Sequence, residues 1–225
     1  MAVVLYSYFR SSAAYRVRIA LNLKNIEYEI RPVHLLKNGG EQYKADYLAL
    51  NPQGRVPVLV VQNTVLTQSF AIIEYLEEAF PFPPLLPANA MDRAYVRSLA
   101  QIIACDIHPL NNLRVLNYLK DFLDEASQQA WYEHWIQEGL TALEQLLQRS
   151  DVRGRFCFGD TPGMADAFLI PQVYNALRFD CEMKNFPLIN AIYEHCLQET
   201  AFSSAAPENQ PDAASPNPAS TMMHK

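Results

Sequence analysis

Hydrophobic and polar positions in the first eighty residues change period several times. AVVLYSY (2–8) is β-branched and aromatic, the composition of a strand. Over 12–24 the period lengthens, and Ala13, Arg16, Val17, Ala20, Leu21 and Lys24 fall on one helical stripe. EYEIRPV (27–33) alternates again, and RVPVLVV (55–61) is an apolar, β-rich run. Gln62-Asn63 makes a short turn into TVLT (64–67), which predicts a hairpin. SFAIIEYLEEAF (69–80) returns to the helical period, with Ser69 placed to cap it.

The order is β-α-β, a connector, then β-β-α. A parallel pair, a hairpin and a covering helix predict an α/β thioredoxin-like domain over residues 1–80. PFPPLLPA (81–88), with four prolines, cannot continue a helix and is expected to be a stiff linker. Beyond it every periodic segment is helical, including 92–107, 131–149 and 165–179. Residues 89–202 are therefore expected to form an all-α domain. The final stretch, 203–225, is rich in Ala, Ser and Pro without apolar period, and is expected to be mostly disordered or draped over the surface.

Composition narrows the function. Half of the 225 residues are hydrophobic, 19% are charged and the formal net charge is −6. A nucleic-acid partner is not expected on an acidic surface without a basic run. No apolar stretch reaches the length of a membrane span, and the N-terminus lacks the positive region of a signal peptide, so a cytoplasmic protein is expected. The four cysteines, Cys105, Cys157, Cys181 and Cys196, are far apart and form no CxxC; reduced, mostly core thiols are expected. The five histidines lack ligand spacing, so no metal is expected. Trp131 and Trp135, at i and i+4, read as core, and Cys157 between Phe156 and Phe158 as buried and inert.

Three short motifs carry candidate chemistry. In SSAAYRVRIAL (11–21) two serines stand where a strand gives way to a helix. One serine suffices as an N-cap. A second hydroxyl, free helix N–H groups and Arg10 make a donor-rich site for an anion, whether phosphate or thiolate. In NPQGRVPVLVV (51–61), Val56-Pro57 is either an edge residue or a cis-proline turn, which would leave the Val56 backbone able to pair with an extended peptide. Gln68-Ser69 opens another helix, a second anion-ready position.

These motifs, with GGEQY (39–43), IHPLNNLRVLNYL (107–119), FCFGDTPGMADAFLIPQVYNALRF (156–179) and QPD (210–212), make the chain resemble the glutathione transferase superfamily, specifically its zeta class. That class contains maleylacetoacetate isomerase, and the resemblance reaches to about residue 213. It implies glutathione as cofactor and a homodimer. It assigns thiolate stabilisation to Ser11, with Ser12 beside it, and a catalytic part to Arg10. Gln42 and Val56 would contact the tripeptide backbone, and Gln68 and Ser69 the γ-glutamyl carboxylate. His108, Asn112 and Arg114 would line the opposite wall. Arg10, Arg114 and Arg178 would bind a small-molecule diacid. Without the resemblance, Arg178 reads equally as a surface arginine and His108 as a helix histidine beside the bend at Pro109.

Two positions depart from the class. The cysteine that follows the serines in animal and plant members is Ala13 here, which excludes any step needing that thiol. The Ser or Thr of the class's buried capping box is Gly163, three residues before Asp166, and a helix weaker by a few tenths of a kcal/mol is expected. The implied reaction is cis–trans isomerisation of maleylacetoacetate or maleylpyruvate. The same site would suit conjugation or dehalogenation of small α-halo acids. A non-catalytic binding module would have no use for the serines, Gln68 and the arginines.

Overall fold

The computed structural model describes residues 2–213. Strands β1 (Val3–Ser7), β2 (Glu29–Pro32), β3 (Val58–Val61) and β4 (Thr64–Thr67) form one sheet in the order β2-β1-β3-β4. β1 and β2 are parallel and joined through α1 (Ser12–Leu23), while β3 lies antiparallel to β1 and to β4. The α/β thioredoxin-like arrangement expected from the period changes is thus present. Gln62 and Asn63 both take positive φ, 49° and 68°, as a tight hairpin turn requires.

β3 begins at Val58 rather than at 55, because Pro57 has no N–H for the ladder and the Val56-Pro57 bond is cis. Leu5 and Leu59 pair in register and are fully buried, facing α1 and α3 (Ser69–Ala79). Tyr8, Val33, Tyr47, Val56 and Val58 form a smaller cluster, with Tyr47 supplied by the short helix α2 (Ala45–Leu50).

The linker is fastened by a buried ion pair. Lys24 Nζ lies 2.7 Å from Glu77 Oε2 and donates to the carbonyls of Phe80 and Pro83. Glu77 accepts in turn from the amides of Leu85 and Leu86. Beyond the linker, α4 (Ala90–Gln101) runs through a π-helical stretch, Ile102–Ile107, into α5 (His108–Asn111). Then follow α6 (Leu113–Leu119), α7 (Glu125–Gln148), α8 (Met164–Arg178), α9 (Pro187–Gln198) and α10 (Thr200–Ser203). α8 packs against both α1 and α4, so one apolar core runs through both halves. No helix among the described residues is long and apolar enough to cross a membrane.

Gly163 caps α8, and Asp166 reaches back to its amide at 2.8 Å and to the Cys157 amide at 2.9 Å. Leu85 O accepts from Met164 N at 2.9 Å and would lie only 2.7 Å from a Cβ at 163. The glycine is therefore required by the linker's close approach. Cys157 is buried, its thiol pushed well above the usual range by burial and by Asp166. Cys181 and Cys196 are buried too, whereas Cys105 is exposed.

The expected loose tail needs correcting as far as residue 213. Ala205, Ala206 and Gln210 are buried, because small side chains allow close packing and buried donors bind the backbone of the segment. Residues 214–225, the remainder of that expectation, lie outside the described residues.

Candidate functional site

α1 and α3 present their N-termini at one end of the sheet, and each predicted serine has its own place there. Ser11 is the N-cap of α1, and its Oγ accepts from Ala14 N at 3.2 Å. Accepting leaves the hydroxyl proton free to donate outward. Ser12, buried in the first turn, lies with Oγ 3.1 Å from Nδ1 of His108. The half-buried His108 ring is pushed down to about 3, first by burial and then by the charges of Arg16 and Arg55. It is neutral at physiological pH, so Ser12 faces an uncharged imidazole.

The cap of α3 is Gln68, at φ 69°, rather than Ser69. Ser69 is the first helical residue, because the sharp turn out of β4 is made one position earlier. Its Oγ accepts from Arg16 Nη1 at 3.3 Å, and Gln68 Nε2 donates to Gln53 Oε1 at 2.8 Å. Arg16 is 1% exposed, with Phe168 stacked 4.8 Å away. Its Nε and Nη2 have no hydrogen-bond partner among the described residues. Burial lowers its pKa to about 9, which leaves it charged at neutral pH. A buried cation with no carboxylate partner among the described residues, behind two helix N-termini, makes this end of the sheet a site for anions.

The third motif completes this wall. Among the described residues, neither the amide nor the carbonyl of Val56 forms a hydrogen bond. Gln42 is buried, donates to Leu35 O at 3.3 Å, and leaves Oε1 without a partner. An extended peptide laid here would find an unpaired backbone edge and an unpaired amide oxygen.

Arg10 and Arg178 lie within each other's electrostatic field. Arg10 follows β1, Arg178 ends α8, and each guanidinium lies about 5 Å over the neighbouring ring of Phe9 or Phe179. They are close enough that Arg178 is lowered by burial and then by Arg10. Tyr8 and Tyr174 lie in the same field. Two adjacent cations and two phenols suit a ligand with two carboxylates.

The α6 residues are placed differently. Asn112 caps that helix, accepting from Arg114 N and Val115 N and donating to Pro109 O, so its side chain is occupied by its own backbone. Arg114 stands exposed in the first turn, and among the described residues its side chain is not held by the other site residues. Trp131 donates to Leu110 O at 2.8 Å and steadies α5 from behind. No group of three or more His, Cys, Asp or Glu side chains among the described residues could hold a metal ion.

Comparison with known proteins decides the family. The model for the glutathione S-transferase N-terminal domain matches residues 10–79, and that for the C-terminal domain matches 125–195. A probable maleylacetoacetate isomerase of Vibrio cholerae is 49% identical over 215 residues, covering 95% of this chain and 99% of that protein. The chain belongs to the glutathione S-transferase family. Within the family it is similar to the holo structure of a maleylpyruvate isomerase described as a bacterial zeta-class transferase. That likeness has a TM-score of 0.90 at 50% identity over 94% of this chain and all of the other. A maleylacetoacetate isomerase of Anaeromyxobacter dehalogenans, with dicarboxyethyl glutathione and citrate bound in its active site, is 40% identical. Its TM-score is 0.86, with coverage of 96% and 95%.

The residue that motif reading passed over is Arg16. It was visible on the apolar stripe of α1, where a cation has no business unless it is buried for a purpose.

Proposed function

We propose that this chain is a glutathione-dependent cis–trans isomerase of a maleyl diacid, converting maleylacetoacetate to fumarylacetoacetate in tyrosine and phenylalanine breakdown. The observation that carries the reading is the Arg10–Arg178 pair beside the serine-capped start of α1.

The unpartnered atoms of this end of the sheet fit glutathione. The free backbone of Val56 and the buried Gln42 Oε1 suit its peptide, and Gln68 and Ser69 at the start of α3 suit its γ-glutamyl carboxylate. Arg16 supplements that helix end through its bond to Ser69. When bound, glutathione would supply a nucleophilic thiolate, the chemistry needed for reversible addition to a conjugated alkene. Ser11 donates its hydroxyl proton towards the sulfur, and the N-terminus of α1 lowers the cost of the negative charge. Arg10 and Arg178 take the two carboxylates, and Arg114, exposed at the start of α6, is a further cation for the diacid. His108, held neutral, supports the wall through Ser12. Ala13 leaves thiolate stabilisation to Ser11 and the helix. We read the enzyme as a cytoplasmic homodimer, on the strength of the family resemblance.

Maleylpyruvate is a second candidate substrate, favoured by the 50% identity to a maleylpyruvate isomerase. The test is one panel: both maleyl acids and an α-halo acid, each with and without glutathione, with product analysis. The expected result is isomerised diacid and intact glutathione. Stoichiometric consumption of glutathione, or equal turnover in its absence, would defeat the reading.

A further inference from the structure

Arg10 sits on a connection between β1 and α1 that belongs to neither, so something else must hold it. Arg18, fully buried in α1, holds it from one side. Nη1 donates to Ser7 Oγ at 2.9 Å and Nη2 to Phe9 O at 3.1 Å. The same guanidinium donates through Nε to Ala205 O at 2.9 Å, and so also holds the C-terminal segment.

That segment comes back to the connection. Asp212 Oδ2 accepts from Phe9 N at 2.9 Å, so the amide of Phe9 is taken by the C-terminal segment and its carbonyl by Arg18. The segment is braced between these points. Gln210 donates to Ser204 O and Ala206 O, and Asn209 to Ser203 O. Glu208 Oε2 accepts from Tyr174 OH at 3.3 Å, one turn before Arg178 on α8. The strap therefore touches the residue before Arg10 and the turn before Arg178.

We propose that residues 205–212 are a positioning element of the dicarboxylate site, with Asp212 as its positioning residue. By fixing Phe9, Asp212 holds the backbone that carries Arg10, while Glu208 holds Tyr174 one turn before Arg178. This rests on the arginine pair being the diacid site. A strap that only closed the core would affect melting and leave ligand affinity alone.

The experiment compares Asp212→Ala, Asp212→Asn and Arg10→Ala in the full chain. It measures malonate and glutathione affinity by calorimetry, KM and kcat for the maleyl acid, and the melting temperature. Asp212→Ala is expected to weaken malonate and raise KM about tenfold, with glutathione affinity and kcat changed less than about twofold. Asp212→Asn, whose amide oxygen can still accept from Phe9 N, is expected to recover most of that loss. If Arg10→Ala weakens malonate but Asp212→Ala does not, the strap proposal is wrong. Equal weakening of malonate and glutathione in Asp212→Ala would also overturn it, as a general loosening. Malonate binding unchanged in Arg10→Ala would instead remove the arginine-pair reading, and the strap's role with it.

Discussion

The Ser12 hydroxyl lies 3.1 Å from Nδ1 of His108, and this hydrogen bond joins the first turn of α1 to the helical half. It also separates the two serines. Ser12 is engaged by a side chain 96 residues away, whereas Ser11 accepts only from its own helix and keeps its proton for a ligand.

Ser11→Ala should therefore lose more catalysis than Ser12→Ala. Removing one preorganised donor to a developing or resident anion costs about a hundredfold in rate. The lost cap adds about 1 kcal/mol of destabilisation. The thiolate absorbance of bound glutathione, titrated against pH, should show a raised thiol pKa in Ser11→Ala. Ser12→Ala should leave that titration nearly unchanged. Identical titrations for both variants would refute the division of roles.

His108 makes stability depend on pH in a stated direction. Its ring is lowered to about 3 by burial, Arg16 and Arg55, while in the unfolded chain it takes a proton near ~6.5. Between those values the unfolded state binds more protons, so stability rises with pH. The contribution is fully present above ~6.5 and is lost as pH falls towards about 3. The melting temperature should drop from neutral pH to about pH 5, and drop less in His108→Gln. Parallel melting curves for the two proteins would show that His108 is not responsible.

Much of this architecture was legible because the period of apolar positions changes where the elements change. The hairpin at Gln62-Asn63 and the break at the prolines are local signals and were placed correctly. The stripe of α1 already contained Arg16 and Lys24, and both are buried, at 1% and 4% exposure. What the stripe could not name was their partners, Ser69 and Glu77, which come from α3 far along the chain. Arg18 was hidden for a different reason. α1 is covered on nearly every side, by α3, α8 and the C-terminal segment, so a polar residue off the stripe is buried as well. The same contacts order residues 205–212, whose Ala- and Pro-rich composition resembles that of a free tail. Ser69 was misplaced by one position because positive φ at Gln68 carries no composition signal.

The Lys24–Glu77 pair should be costly to break. Glu77 serves a buried ammonium and two linker amides, so Glu77→Gln leaves a buried charge without its counterion. A loss of about 3–5 kcal/mol is expected in urea unfolding. A loss below about 1 kcal/mol would mean that the linker is held by its other contacts and not by the charge of Glu77.

Gly163 reverses an ordinary expectation about helix caps. By propensity alone, Gly163→Ser should stabilise α8 by a few tenths of a kcal/mol, since serine is the better N-cap. Here a Cβ at 163 would stand 2.7 Å from Leu85 O, and that oxygen is backbone already bound to Met164 N. Neither can retreat without breaking the bond that docks the linker on α8. Gly163→Ser is therefore expected to destabilise by about 1–2 kcal/mol, in the range of overpacked sites. Gly163→Ala should cost somewhat more, because it adds the same clash without a capping oxygen. Urea unfolding of the three proteins measures both differences. The order Ser above Gly in stability would show that Leu85 gives way freely and that the glycine is not required by the linker.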